Sequence, residues 1–431
     1  MMTRQLDRDV DQLVERDRDL LVELTTELIG CRPTYVGPAA GIRRAQSVMS
    51  SALRDAGMRM VDVPAATNLR HHPLYVGVEE WADDFAGYEP GVHPLVVGRV
   101  DVDPALPTLA LSGHIDVEPV DEQEWTDPVL AGGRLRDGAV FGRGASDMLG
   151  ALAAYTVAVR AALRLGGPSV NLEVHSVPDE ELGGNGTLAL LAAHPAPEYV
   201  LIGEPTSMRI CEATLGFHHF VLDVEGRRTH MAESSGADSA IERAAAALTA
   251  VATTRHVLAD RIRSSPGFAG YDSNPLAIGK IIGGSDAAVP PLSCQVEGVA
   301  FSAPAMSTGD VRELLAAVLR ERGPEQVVPR LTRMSFPGNP PSTDRRLSNA
   351  LSVSLRSTGG RPEWTGFPSP CDLRLYHALG ASGVVCGPGD LAQAHAPDEH
   401  VEVEALVAFA KVITKLIINF TADNSSEEVA P

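Results

Sequence analysis

The residues able to do chemistry in this chain gather in short stretches at the ends of apolar runs. They are Ser112-Gly113-His114-Ile115-Asp116, Gly144-Ala145-Ser146-Asp147 and Pro178-Asp179-Glu180-Glu181-Leu182-Gly183-Gly184, then Ile202-Gly203-Glu204-Pro205 and Ala394-His395-Ala396-Pro397-Asp398-Glu399. Together they offer two histidines and several carboxylates, the donor mix of a hydrolytic site holding two divalent metals.

Two such ions need a bridging carboxylate and further protein ligands for each. Asp147 suits the bridge, because Gly142 and Gly144 let the chain turn tightly before it and an Ala-rich helix follows. His114 offers a ring nitrogen, and Asp116 can accept its other N–H, which fixes the tautomer. The adjacent Glu180 and Glu181 diverge, so one can bind metal while the other faces an attacking water as general base. Glu204 and His395 are weak signals singly and gain weight from lying where ligands are still required. The competing reading of a lone histidine at a strand end is a satisfied core residue. For acids at a helix start it is stabilisation by the helix dipole.

These stretches need elements to hold them. Leu6, Val10, Leu13, Leu20, Leu24 and Leu28 predict one long amphipathic helix. Thr108 to Leu111 reads as a buried strand leading into His114, and Met148 to Leu163 as a helix starting just after Asp147. Val170, Leu172 and Val174 alternate as a strand ending before Asp179; a helix follows Gly186, and Tyr199 to Ile202 is a strand ending at Glu204. Strand, loop and helix alternate, so the fold class is α/β: a mostly parallel mixed sheet flanked by helices. In such sheets the site lies beyond the carboxyl ends of the strands, where these motifs fall. From about 209 the pattern becomes β-α-β-β-α, with strands at Phe217–Glu225, Ala277–Ile282 and Gln295–Phe301 and helices at Ser239–Val251 and Val311–Arg320. That predicts a smaller α+β domain, 209–331, inserted into a catalytic domain formed by 1–208 and 332–431. Gly383–Gly387 reads as a strand before His395, and Glu402–Ile418 as a closing helix.

The 431 residues exceed one ordinary core, and 44% hydrophobic with 21% charged residues is a globular composition. With 36 basic against 56 acidic side chains the formal charge is −20, which argues against a nucleic-acid partner. No signal-peptide pattern opens the chain, and Arg160 interrupts the best membrane-span candidate, so no membrane partner is expected. Cys31, Cys211, Cys294, Cys371 and Cys386 lack CxxC spacing, which predicts reduced thiols in a cytoplasmic enzyme. Cys371 adjoins the charged Asp372 and is the thiol to watch; burial and inertness is the plainer reading.

The motif set resembles the M20 family of metallopeptidases and amidohydrolases, which includes acetylornithine deacetylases, succinyl-diaminopimelate desuccinylases, aminoacylases and glutamate carboxypeptidases. The resemblance spans about 90–230 and 370–402 and is weaker through the inserted domain. It implies a di-metal catalytic domain with a dimerisation or lid domain. It also implies that His114, Asp147 and Glu204 bind one ion and Asp147, Glu181 and His395 the other. Glu180 matches the general base and proton shuttle, and Asp116 the residue orienting the metal-bound histidine. His230, in Gly226-Arg227-Arg228-Thr229-His230, matches a histidine that stabilises an oxyanion, often across a dimer. Asn274 falls near a substrate-contact position. Arg374 is a candidate clamp for a substrate carboxylate, with a structural pair to Asp372 as the rival reading.

Several positions depart from the family pattern. Leu149 stands where relatives often carry lysine, Met231 follows His230 where a small residue is common, and Val299-Ala300-Phe301 replaces an expected arginine. None is a proposed ligand; the last two bear on substrate choice. The expected function is hydrolysis of the amide of an N-acyl amino acid by a metal-activated water, with Glu180 as base. The expected cofactors are two divalent ions, zinc first and cobalt or manganese as alternatives, and the expected assembly is a homodimer. Dipeptidase or carboxypeptidase action is the alternative within the family. An inactive metal-binding regulatory relative is the alternative outside it, and would lack the base or the bridge, neither of which is missing.

Overall fold

A computed structural model describes residues 2–36, 39–80, 88–89, 92–120, 124–227 and 239–421. In chain order the strands begin with β1 (Arg59–Val61), β2 (Val96–Val100), β3 (Thr108–His114), β4 (Arg134–Arg136) and β5 (Ala139–Phe141). There follow β6 (Asn171–Val177), β7 (Tyr199–Ile202), β8 (Ile210–Thr214), β9 (Gly216–Glu225) and β10 (Leu276–Gly283). The last are β11 (Ser293–Ser302), β12 (Pro329–Phe336), β13 (Trp364–Phe367), β14 (Ser382–Val385) and β15 (His400–Glu402).

An eight-stranded mixed sheet, in the order β1-β2-β6-β3-β7-β14-β8-β13, forms the centre of the molecule. Its middle strands β6, β3, β7 and β14 run parallel, while β2 joins β6 and β8 joins β14 antiparallel. Parallel strands covered on both faces read as continuous apolar runs, and β6 and β7 are buried along their whole length. The helices Gly150–Arg164 and Val403–Asn419 bury most of their surface in the same core as Leu109, Leu111, Leu172 and Leu201. Small Ala side chains on Gly150–Arg164 allow that close packing.

A second sheet, β10-β11-β9-β12, is antiparallel and carries its own core under the helices Ala240–Ala252, Thr254–Arg263 and Thr308–Arg322. Its order is β-α-α-β-β-α-β, so the expected pattern lacked one helix and the strand β12. Strand pairing puts β8 in the large sheet and all of β12 in the small one. The expected limit at 209 thus falls ahead of a large-sheet strand, and that at 331 falls inside β12.

Two further expectations shift. The first helix is two, Met2–Arg16 and Arg18–Gly30, interrupted at Asp17, whose carboxylate takes Arg160 at 3.0 Å. The helix after Asp147 becomes regular only at Gly150, because Asp147 and Met148 have non-helical backbones.

A buried polar chain ties the sheet to the short helix Leu373–Ala378. On β6, Glu173 accepts from His175 at 2.8 Å, from His194 at 2.9 Å and from Arg99 at 2.5 Å. The other ring nitrogen of His175 meets the Tyr376 hydroxyl at 2.8 Å, which meets Ser112 of β3 at 2.9 Å. His175 is fully buried in the core. Removing Glu173 leaves these donors buried without their anion. Glu173→Ala is expected to lower unfolding free energy by about 3–5 kcal/mol, read as a reduced urea midpoint. A loss within the roughly 0.5 kcal/mol of a surface substitution would contradict this account.

Candidate metal centre

The carboxyl ends of the parallel strands deliver the sequence motifs to one place. β3 ends at His114, β6 leads into Asp179–Glu181 and β7 into Glu204. Pairing of β5 with β15, with Phe141 opposite His400, draws the turn carrying Asp147 against the segment carrying His395. Gly144 makes that turn possible: it has φ +86°, and a Cβ there would sit 2.6 Å from Val117 Cγ1.

Two donor groups result. In the first, His114 Nε2 lies 3.0 Å from Asp147 Oδ1 and 3.8 Å from Glu204 Oε1. His114 Nδ1 is 2.8 Å from the Asp116 carbonyl, which can only accept, so Nδ1 carries a proton and Nε2 is the nitrogen aimed at the acids. The orienting acceptor is therefore the main chain of Asp116; its carboxylate lies 3.9 Å from Nδ1. That carboxylate instead accepts the backbone N–H groups of Glu180 (3.3 Å) and Glu181 (3.2 Å). In the second group, His395 Nε2 lies 3.1 Å from Glu181 Oε2 and 3.4 Å from Asp147 Oδ2. Asp147 thus faces one histidine with each oxygen.

The donor set fits divalent cations. Glu181 Oε1 and Glu204 Oε1 are buried without a hydrogen-bond partner among the described residues, and buried acceptors of this kind call for a cation or a donor. Burial raises the pKa of Glu180, Glu181 and Glu204, with neighbouring carboxylates adding to it. Burial opposes the charged form of His114 and His395, but the facing carboxylates outweigh it and raise both. The cluster as it stands is rich in protons that a metal pair would displace.

Several residues at the site had no role assigned from the sequence. Glu399, fully buried, accepts the backbone N–H of Ser146 at 3.0 Å and of Asp147 at 3.1 Å, and pairs with Arg143 at 2.7 Å. Arg143 also donates to the carbonyls of His395 at 2.9 Å and Ala396 at 3.2 Å. This ion pair holds Asp147 and His395 from behind, and His395 keeps a left-handed backbone at φ 61°. Glu118 stands with Glu181 and His395 as a second metal-suited group, and its signal was the spacing His114, Asp116, Glu118 along one extended segment. Arg143 and Glu399 carried no such periodic signal.

A cavity of about 310 Å³ opens beside the second group. Glu118, Glu180, Glu181 and His395 line it together with Phe217, Phe301, Met334 and Phe336. Arg374 also lines it; its guanidinium carbon lies 3.8 Å over the Phe336 ring, and it donates to the Gly183 carbonyl. Burial pulls its pKa down to about 10, so it stays charged at neutral pH. Asp372, the rival partner for Arg374, accepts from Thr187 at 2.5 Å and packs at Gly184, where a Cβ would sit 2.1 Å from its Oδ1. Cys371 lines the cavity too, and burial raises its thiol well above the usual range. Asn274 is exposed, accepts from the Leu276 N–H at 3.2 Å and is not among the cavity-lining residues. His230 and Met231 lie outside the described residues.

Comparison with known proteins agrees with this geometry. Residues 110–419 match the model for peptidase family M20/M25/M40. The chain is 29% identical over 326 residues to an acetylornithine deacetylase of Myxococcus xanthus, covering 72% of this chain and 80% of that protein. It shares its fold with the di-peptidase Dug1p of Saccharomyces cerevisiae (TM-score 0.70, 16% identity, 95% of this chain and 98% of the other). The fold also matches that of a dinuclear metal-binding M20 peptidase of Bacillus subtilis (TM-score 0.60, 14% identity, 94% and 98%).

Because the donors carry displaceable protons, metal uptake by metal-free protein should release protons and tighten as pH rises from 6 to 8. Isothermal titration in two buffers of different ionisation enthalpy reads the release. A buffer-independent heat and a pH-independent affinity would show that the cluster takes up no metal through these groups.

Proposed function

The chain belongs to peptidase family M20/M25/M40 and is a hydrolase of amide bonds, and from that premise we propose that it deacylates N-acyl amino acids. The observation that carries this reading is the pair of donor groups sharing Asp147, with Glu180 lining the cavity beside the second of them. His114, Asp147 and Glu204 would hold one ion, and Asp147, Glu181 and His395 the other. Such ions polarise the scissile carbonyl and acidify the attacking water; zinc is our first choice, and carboxylate and imidazole donors also suit cobalt and manganese.

The protein's own groups do the rest. Glu180 takes the proton of the attacking water and returns it to the leaving nitrogen. Asp116 clamps the N–H groups of Glu180 and Glu181, so base and ligand are set by one carboxylate. Arg374 offers a cationic end to the cavity for the carboxylate of the amino acid. Phe217 stacks on Phe336 with centroids 5.7 Å apart and meets Phe301 at 6.1 Å, a wall suited to an apolar acyl group or side chain. Acetylornithine deacetylase activity in a relative at 29% identity supports the deacylase reading. Dipeptidase action is the second reading, because Glu118 adds an anion to the cavity that can hold an α-ammonium group.

Two further parts of the reading concern setting. Strand β10 is an edge strand with Ile281 and Ile282 more than half exposed, which supports a homodimer formed through the small sheet. All five cysteines are free and buried, and no helix among the described residues is long and apolar enough to cross a membrane; we place the protein in the cytoplasm.

Glu180→Ala should lower kcat by at least about 10²–10⁴-fold while the protein still binds two metal ions per chain, measured by elemental analysis. Loss of both ions in that variant would reassign Glu180 as a ligand. Assay of metal-loaded protein on N-acetyl amino acids and on dipeptides of matched side chain should give the larger kcat/KM for the former, and the reverse order would establish the dipeptidase reading.

A further inference from the structure

Glu118 has no part in the deacylation above, yet it stands at the second donor group. One donor atom each from Glu118, Glu181 and His395 lie within 4.8 Å of one another, a group that needs to close by only about 1 Å to reach the ligand spacing of a tetrahedral ion with bonds of about 2.0–2.2 Å. Glu118 is fixed from behind, since Tyr35 donates its hydroxyl to Oε2 at 2.9 Å. Metal-binding carboxylates are held in this way by an outer hydrogen bond that aims the other oxygen. Independently, Glu181 carries a buried oxygen with no hydrogen-bond partner among the described residues, on a side chain only 6% exposed.

We propose that Glu118 is a fourth protein donor at the second locus, beside Asp147, Glu181 and His395. This deepens the two-ion reading and rests on it. The first locus has three protein donors, His114, Asp147 and Glu204. Three protein donors leave a position for water or substrate, whereas four close a tetrahedral site. Glu118 thereby makes the two loci unequal, because the second carries one more carboxylate donor than the first. The added negative charge also shifts the second locus toward harder ions such as manganese.

The test is a titration of metal-free, full-length protein with Co(II), followed by calorimetry and visible absorption, for the wild type, Glu118→Gln and Tyr35→Phe. Two binding steps are expected in the wild type. In Glu118→Gln one step should weaken by about 10–100-fold with a changed absorption band for that ion, while the other step is unaltered. Tyr35→Phe should move the same step in the same direction by less. Unchanged steps and spectra in both variants overturn the proposal. A rise in KM confined to substrates bearing a free α-ammonium, without any change in metal binding, would assign Glu118 to substrate instead. A wild type that takes up fewer than two ions would overturn the two-ion reading itself, which separates that failure from a failure of Glu118 alone.

Discussion

The structure is organised around one electrostatic constraint: Asp116, Asp147, Glu181 and Glu204 are brought together where water is largely excluded. Like charges at that spacing cannot all ionise unless cations stand among them. His114 and His395 supply part of the compensation, each raised in pKa by the carboxylates it faces. The unpartnered oxygens of Glu181 and Glu204 mark what is still uncompensated. A fold that concentrates anions in this way gives up stability in the metal-free state and regains it when divalent ions bind.

The parallel sheet makes the concentration possible because its strands end on one side. β3, β6 and β7 each hand over an acidic or histidine-bearing loop at the same edge, and the pairing of β5 with β15 adds the remaining two segments. Rigidity comes from behind the site. The Arg143–Glu399 pair grips the backbone on both sides of the bridge, at Ser146–Asp147 and at His395. Below the sheet, the chain from Ser112 through Tyr376 and His175 to Glu173 fixes the helix that bears Arg374. The two networks put catalytic and substrate-facing residues on one frame, and precise geometry at a reacting centre depends on such support.

What could be read from the sequence followed from local periodicity. Strands such as Tyr199–Ile202 and the helices flanking them announced themselves by apolar spacing, and the motifs at their ends followed. What could not be read was set by contacts between segments far apart in the chain. Arg143 and Glu399 meet only because β5 and β15 pair. Strand β8 joins the large sheet through β14 and β13, partners more than a hundred residues away, so its apolar pattern could not say which sheet would take it. At the break, Asp17 meets Arg160 and Arg164 of a helix far along the chain. Asp116 shows a subtler limit: its proximity to His114 was legible, but not that its carbonyl would serve the histidine and its carboxylate the loop of Glu180 and Glu181.

The cavity joins two environments with opposed demands. Its acidic residues favour cations, while Phe217, Phe301 and Phe336 favour apolar groups and exclude water. A low-dielectric lining beside charged donors strengthens every electrostatic interaction within the cavity, so the lining acts on the chemistry as well as on specificity. Phe301, in the run Val299-Ala300-Phe301 that replaces an expected arginine, presents an aromatic ring to the cavity. Arg374, stacked on Phe336 and tied to the Gly183 carbonyl, is the one arginine lining the cavity among the described residues. Its seat fixes where the guanidinium charge stands relative to Glu180 and the donor residues that line the same cavity. Guanidinium and aromatic ring are thus held against each other, so a change in Phe336 displaces the charge as well as the apolar surface.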